Sequence, residues 1–235
     1  GRSFVCAAGN AATLPFHLQH EIQQDTAFTW FTNNNNQWSG LGGLFFSLWA
    51  DTNDFKQIKF SIGADKVLAN NGYQFRGRTA FDSINTRLNV LYKDSIIGFN
   101  GNRIAQVSTF AEESQGRYKL EIAIIQPDSA NYLFRLESRG TGKFDLWSSW
   151  NLFRHNDMVN QNLPSINQFP EMRKYQQPDN NQTIVSSFTC LPSVITVGNY
   201  TNRNTYTDVT NTFQTVNFTP GQISVNSSLG PNRDG

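Results

Sequence analysis

The 235-residue sequence contains little charge and no long apolar run. Charged residues make up 16% of the chain and the formal net charge is +1, so the sequence has neither the basic surface that binds nucleic acid nor an acidic tail. No apolar stretch approaches the ~20 residues that a membrane-spanning helix needs, and the N-terminus lacks the pattern of an export signal. We therefore expect no nucleic-acid partner and no membrane span.

The chain has two cysteines, Cys6 and Cys190, and their spacing matches no zinc site. Cys6 lies in the apolar run 4–8, which is typical of a buried strand, so buried free thiols are favoured over a disulfide. Catalytic signatures such as G-x-S-x-G, H-E-x-x-H, a Walker loop or a dinucleotide fingerprint are absent. The residues therefore indicate no cofactor and no metal site.

Two groups of polar residues keep a weaker metal hypothesis open. His17 and His20 are three positions apart and would share one face of a helix, but no third ligand accompanies them. Asp51, Asn53 and Asp54 offer oxygen ligands that suit Ca²⁺, although such clusters between strands are usually turns. We favour a structural or surface role for both groups.

The sequence is rich in aromatic and uncharged polar residues, with 19 Phe and 5 Trp. Asn and Ser compete for helix hydrogen bonds and aromatic side chains suit pleated surfaces, so β-structure is favoured. Asn- and Gly-rich turns, among them those at 33–37 and 140–142, separate short β-type runs. The predicted strands are residues 27–31, 44–50, 57–62, 73–81, 87–92, 104–111, 117–125, 132–138 and 143–149. Their spacing predicts a mainly β fold, an antiparallel sandwich of the jelly-roll type.

The two ends of the chain differ from this middle part. Residues 4–8 form a continuous apolar run of the kind found inside parallel sheets. Residues 191–198 resemble it, as a short apolar, β-branched strand closed by glycine. Residues 14–24 fit either a short helix or an extended segment. The predicted organisation is a discontinuous outer piece, residues 1–20 and 184–235, an inserted β-sandwich, residues 21–162, and an irregular connector, residues 163–183.

Three short motifs in these outer parts carry a family resemblance. Residues 4–10 read F-V-C-A-A-G-N, residues 192–198 read P-S-V-I-T-V-G, and residues 227–235 read S-S-L-G-P-N-R-D-G. In the same order they resemble the A-A-G-N strand, the P-x-V-I-x-V-G-A strand and the F-S-S-R-G-P-x-x-D-G segment of subtilisin-like serine proteases, with Leu229 in place of the usual arginine. The long β-rich insert resembles that of large secreted subtilases from Bacteroidetes-type bacteria.

The resemblance implies roles for the residues that follow the first strand. Asn10 matches the oxyanion-hole asparagine, whose amide donates a hydrogen bond to the developing oxyanion on the scissile carbonyl. Ala7, Ala8 and Gly9 would line the pocket for the substrate residue that precedes the cleaved bond, where small residues leave room. The two end strands would be parallel neighbours in a subtilisin-like α/β sheet, with the β-sandwich inserted between them.

In this family the catalytic Asp and His precede the A-A-G-N strand, and the nucleophilic Ser of G-T-S-M-A follows the third motif. None of the three is present, so the resemblance implies a segment that is inactive alone and belongs to an exported endopeptidase, secreted, periplasmic or on the cell surface. Its partner would be a protein or peptide substrate, and the insert would act as an exosite, a lid or a binding module.

The alternative is a non-catalytic β-sandwich that binds carbohydrate or protein. Aromatic side chains that stack on sugars would carry glycan binding, although burial in the core is the more common role of tryptophan. The candidates are Trp30, Trp38, Trp49, Trp147 and Trp150.

Overall fold

The computed structural model describes residues 3–11, 14–32, 43–69, 72–84, 87–148, 150–151, 154–155, 158–179 and 183–231. The chain forms two compact units: unit 1 comprises Gly1–Leu14 and Asn180–Gly235, and unit 2 comprises Pro15–Asp179. Residues 15–20 and 163–179, which the sequence grouped with the outer piece and the connector, lie in unit 2. The turn expected at 33–37 and Trp38 fall outside the described residues.

Unit 2 is built on one curled antiparallel sheet, which confirms the expectation of a mainly β fold. Its strands are β2 (His17–Thr32), β3 (Gly43–Asp51), β4 (Ile58–Val67), β5 (Tyr73–Arg78), β6 (Tyr92–Ile97), β7 (Arg103–Ser114), β8 (Arg117–Ile125) and β9 (Tyr132–Ser148). They are ordered β5-β4-β9-β3-β8-β7-β6, and β2 pairs with β9. A bridge between Gly77 and Gly98 links β5 to the residue after β6, so the two ends of this order meet. A short pair, β10 (Trp150–Asn151) and β11 (Arg154–His155), follows β9.

Strand β9 organises the sheet because it has neighbours on both edges. One edge pairs with β2, and the other pairs first with β4 and then with β3. Helix α1 (Thr52–Gln57) joins β3 to β4 and packs against β9 near Gly140. A Cβ atom on Gly140, whose φ is +115°, would lie 2.0 Å from the carbonyl oxygen of Gln57, so the close approach requires glycine. The turn predicted at 140–142 is therefore wrong: these residues continue one long strand.

Strand β2 changes the face on which its apolar side chains lie. Residues 14–24, which fitted helix or extended chain, belong largely to this strand. Its pairing with β9 shifts between Gln23 and Thr26, as in a β-bulge. Ile22 before the shift and Phe31 after it both reach the main core, whereas Trp30 joins a second cluster on the opposite face.

The main core lies on the inner face of the curled sheet. The alternation predicted for residues 117–125 is confirmed, because Tyr118, Leu120, Ile122 and Ile124 are buried there. The rings of Phe31 and Phe46 stack with centroids 4.3 Å apart. Removal of this apolar surface from water is the main source of stability in the unit. The largest fully buried side chains of the core are Phe31, Phe46, Phe55, Phe134 and Phe144.

Residues 158–179 cover the outer face and the free edge of β2. Phe169 packs in a cluster with Phe28 and Trp30 and precedes a 3₁₀-helix, Pro170–Lys174. The amide of Val159 donates to the carbonyl oxygen of Trp30, and that of Gln176 donates to the carbonyl oxygen of Phe28. These bonds satisfy backbone groups that an exposed edge strand would leave open.

A buried cluster of charges joins this outer layer to the sheet. The guanidinium group of Arg135 on β9 binds both carboxylate oxygens of Asp65 and lies 3.1 Å from Glu137. It also lies 2.5 Å from Glu171 of the 3₁₀-helix. The indole nitrogen of Trp30 donates to Asp65 at 2.6 Å. Each buried charge therefore has partners, as burial of ions requires.

Unit 1 contains a parallel pair of strands and a small hairpin. Strands β1 (Phe4–Ala7) and β12 (Val194–Val197) pair in parallel, with Ala7 opposite Val197, which confirms the expected pairing. Strands β13 (Thr205–Thr207) and β14 (Phe213–Thr215) form the hairpin. In the described ranges, no helix has the length and apolar character needed to cross a membrane.

Three local expectations are wrong. Strand β1 is not buried: Phe4 is 60% exposed, because among the described strands β1 and β12 pair only with each other. The two thiols are free, but Cys6 is half-buried and Cys190 is exposed. The strand expected at 87–92 begins only at Tyr92, since the chain before it forms a bend and a turn.

Candidate functional site

The residues that follow β1 are held in place by backbone hydrogen bonds from two distant segments. The amide of Ala8 donates to the carbonyl oxygen of Val197 at 2.9 Å, which extends the pairing with β12. The carbonyl oxygen of Ala8 accepts from the amide of Ser186 at 2.8 Å. Gly9 then turns the chain with a φ of +113°, a conformation that glycine adopts without strain.

Ser228, in the third motif, contacts the chain on both sides of Asn10. Its amide donates to the carbonyl oxygen of Gly9 at 2.9 Å, and its hydroxyl oxygen accepts from the amide of Ala11 at 2.8 Å. The neighbouring hydroxyl of Ser227 accepts from the amide of Asn199, just after β12, at 3.4 Å. Both serines are buried. Three motifs that are far apart in sequence therefore meet at one place.

Asn10 is exposed at this meeting point. Its backbone is fixed because the residues before and after it both bond to Ser228. An exposed amide on a constrained turn can donate a hydrogen bond to a ligand without a large loss of conformational entropy.

A cavity of about 590 Å³ lies beside this turn within unit 1. Ala8 lines it, together with Gly198 and Tyr200 after β12 and Leu229 from the third motif. Ala7 is exposed at the end of β1, and Gly9 is half-buried against Ser228. A Cβ atom on Gly9 would lie 2.8 Å from the Ser228 hydroxyl oxygen. The absence of a side chain at Gly9 thus permits close packing of the third motif.

The two histidines considered as metal ligands do not share a face. His17 pairs with Trp147 and lies 3.1 Å from Asp145, whereas His20 lies against the ring of Phe144. Successive side chains of a strand alternate between faces, so positions three apart point in opposite directions. Among the described residues, no group of three or more His, Cys, Asp or Glu is placed to hold a metal ion.

The imidazole of His17 and the carboxylate of Asp145 form a pair of the kind that activates nucleophiles. Both side chains are almost completely buried, 1% and 0% exposed, so no substrate reaches them. The pair is therefore a structural contact within unit 2. For His20, burial lowers the pKa of the imidazole, although the charge of Glu21 opposes this effect.

The arrangement of residues 51–54 does not support the Ca²⁺ hypothesis. Asp51 ends β3, and Thr52 begins α1, so the polar cluster forms the start of a helix. The carboxylate of Asp51 lies 3.7 Å from Arg117. The expected turn is replaced by this short helix, which joins β3 to β4.

The three tryptophan side chains that the structure describes, Trp30, Trp49 and Trp147, form no platform for a sugar; the side chain of Trp150, like Trp38, lies outside the described residues. Trp30 is completely buried in the outer cluster. Trp49 and Trp147 are half-buried, the first near Lys119 and the second against His17. A pair of exposed, coplanar rings is absent from the side chains that the structure describes.

The motifs identified Asn10 but not the residues that hold it. Ser228 occurs in the third motif, yet its two bonds to the Asn10 turn span more than two hundred positions and leave no local signal. Ser186, which donates to Ala8, lies outside every motif. No protein-family model, curated protein or solved structure matches the chain.

Proposed function

We propose that unit 1 is the substrate-side part of a subtilisin-like serine endopeptidase, with Asn10 as a donor of its oxyanion hole. The observation that carries this proposal is the meeting of the three motifs around Asn10. β1 and β12 lie side by side, and Ser228 bonds to the chain before and after Asn10. Chance similarity of three short motifs would not require them to be neighbours in space.

The exposure of the parallel strands supports the same proposal. Parallel sheets are normally covered on both faces, and their strands are accordingly apolar throughout. Here Phe4 and Val5 of β1 are 60% and 55% exposed, and Ile195 and Val197 of β12 are also exposed. Such a pair fits the interior of a larger sheet. The remaining strands and the catalytic Asp, His and Ser would come from other parts of the parent enzyme.

In this mechanism Asn10 acts when the nucleophile attacks the scissile carbonyl. The side-chain N–H of Asn10 donates to the carbonyl oxygen as it becomes negatively charged, which lowers the energy of the transition state more than that of the bound substrate. Ala7, Ala8 and Gly9 present small side chains or none, so the substrate residue before the cleaved bond can approach. The 235-residue chain alone is expected to cleave no peptide.

Unit 2 is proposed as a jelly-roll-like domain inserted between the two neighbouring strands of the protease sheet. Its own core supports an independently stable module, since its main cluster is formed within residues 15–179. The proposed roles are an exosite, a lid or a binding module for protein substrates. The parent enzyme would act outside the cytoplasm, in secreted, periplasmic or cell-surface form.

The test is Asn10→Ala in the full-length enzyme. Loss of one oxyanion-hole donor, known from the subtilisin family itself, lowers kcat by about 10²–10³-fold. KM is expected to change little, because the bond forms mainly in the transition state. Steady-state hydrolysis of a chromogenic peptide measures both constants.

Asn202→Ala is the matched control, because Asn202 is an exposed asparagine of the same unit. It should leave kcat unchanged. A full-length protein that keeps its kcat with alanine at position 10 contradicts the role of Asn10. A full-length protein without peptidase activity contradicts the proposed function.

A further inference from the structure

The curled sheet of unit 2 contains a second cavity, of about 290 Å³, which plays no part in the proposed protease site. Its floor consists of apolar residues of the main core. Residues 79–84 and strand β6 form its mouth. The floor residues are Phe60, Ile62, Val107, Leu120 and Ile122. A compact apolar cavity with a few polar groups is the usual form of a small-molecule site.

The guanidinium group of Arg87, at the mouth of the cavity, already has two partners. Arg87 lies 3.0 Å from the carboxylate of Asp82. Its guanidinium carbon also lies 3.3 Å from the centre of the Tyr92 ring, in a cation–π contact. Arg87 thus balances one of the two carboxylates that line the cavity, Asp82 and Asp94.

Asp94 supplies a second, uncompensated negative charge. It lies on β6 between Tyr92 and Ile96, and alternate residues of a strand share a face. Since Ile96 is fully buried in the core, Asp94 also faces the interior. One carboxylate oxygen accepts from the amide of Ser95 at 2.7 Å. Among the described residues, no Lys, Arg or His forms an ion pair with Asp94.

We propose that this cavity binds a small primary amine with an apolar body. The ammonium group pairs with the carboxylate of Asp94, and the apolar body rests on the core residues of the floor. A charge-assisted hydrogen bond favours a cation over a neutral or anionic group at that position. The volume lies near the lower limit of ligand cavities, which suits a molecule with a single ring. The site does not depend on the proposed protease function.

The experiment compares three probes of similar shape on the full 235-residue chain. Isothermal titration calorimetry with 2-phenylethylammonium, 2-phenylethanol and 3-phenylpropanoate varies the charge while keeping the ring. The ammonium probe should bind at one site about tenfold more tightly than the alcohol, a ratio typical of one charged hydrogen bond. The carboxylate probe should bind most weakly. Equal affinity for all three, or no saturable binding of the ammonium probe, overturns the proposal.

Asp94→Asn tests the residue itself. The amide oxygen of asparagine can still accept the Ser95 bond, so the fold is kept while the charge is lost. Affinity for 2-phenylethylammonium should fall about tenfold and approach that of the alcohol. The matched control is Asp25→Asn, since Asp25 is exposed and accepts a similar bond from Thr26 at 2.6 Å. Unchanged affinity in Asp94→Asn, or an equal loss in the control, overturns the assignment.

Discussion

The two units use similar apolar β-runs in opposite ways. In unit 2 the sheet curls until its ends meet, and Phe46 and Phe134 on its inner face are 1% and 0% exposed. In unit 1 the strands β1 and β12 pair only with each other among the described strands, and Phe4 and Ile195 stay largely exposed. An apolar strand is thus stabilising only when a second layer or a closed sheet removes its side chains from water.

Because of this difference, the site in unit 2 is complete within the chain, whereas the proposed site in unit 1 is not. Unit 2 has a continuous core and an ion-pair cluster around Arg135, so its cavity is formed by the chain as it stands. The turn at Asn10 is fixed locally, but the strands that carry it present open apolar faces. The proposed protease role therefore depends on further protein, whereas the amine site of unit 2 does not.

The largest expected effect comes from truncating one aromatic ring in each unit. Phe46→Ala removes a fully buried ring that stacks on Phe31 and should destabilise unit 2 by about 3–5 kcal/mol. Phe213→Ala removes a ring of β14 that is 69% exposed and should change stability by no more than about 0.5 kcal/mol. Urea unfolding, monitored by tryptophan fluorescence, measures the free energy of unfolding of unit 2, because every tryptophan lies in that unit.

Amide hydrogen exchange across β13 and β14 measures the effect of Phe213→Ala on the local stability of unit 1. The comparison between the units fails if the two substitutions destabilise their own units equally. Such a result would mean that the exposed rings of unit 1 are covered in solution.

The accuracy of the sequence-based predictions follows the range of the interactions involved. The alternation in β8 was predictable because burial of Tyr118, Leu120 and Ile122 follows a local period. Continuity of β9 through Gly140 was not, because it depends on the approach of Gln57 from α1. The glycines at 140 and 142 indicated a turn, but the contact with α1 keeps the strand extended there.

The candidate sites show the same limit. Asn10 was found by its motif, and the parallel pairing of its strand followed from the family resemblance. The bonds that Ser228 makes to Gly9 and Ala11 could not be predicted, because no rule of spacing links residues so distant. Asp94 was missed because the predicted strand was placed at residues 87–92, which hid its alternation with buried Ile96.

A middle-sized effect is expected from Gly9→Ala, which tests whether unit 1 has rigid parts despite its exposed strands. The φ of +113° disfavours any residue with a Cβ atom, and that atom would lie 2.8 Å from the hydroxyl oxygen of Ser228. Strain of this kind costs about 1–3 kcal/mol. The amide of Ala11 should exchange faster, because the displaced hydroxyl no longer accepts from it.

Gly221→Ala is the control for this change. Gly221 also has a positive φ, of +83°, but nothing lies within 4 Å of its added Cβ atom. It should cost less than the change at position 9 and leave Ala11 protected. Equal exchange of Ala11 in the two variants would show that Ser228 does not hold the turn.

The smallest expected effect is a difference in pH response between the units. Burial lowers the pKa of His20 below its usual value of about 6.5, so the unfolded chain binds the proton more readily than unit 2 does. This contribution to stability is complete above about pH 6.5 and falls as the pH drops below it. His20→Leu should reduce the loss of unit 2 stability between about pH 7.5 and 5.5, measured by urea unfolding at each pH.

Unit 1 has a pH dependence of the same sign at its hairpin, but in a more acidic range. Hydrogen bonds from the Thr210 hydroxyl, the Gln214 amide and the Thr212 backbone lower the pKa of Asp208, which is half-buried. The folded hairpin therefore favours the carboxylate, and its stabilisation is complete above about pH 4 and decreases only in stronger acid. Acidification to about pH 5.5 should thus weaken unit 2 while the Thr210 amide resonance keeps its position. A shift of that resonance above pH 5, or an unchanged acid response in His20→Leu, would remove this distinction in pH range between the histidine of unit 2 and the carboxylate of unit 1.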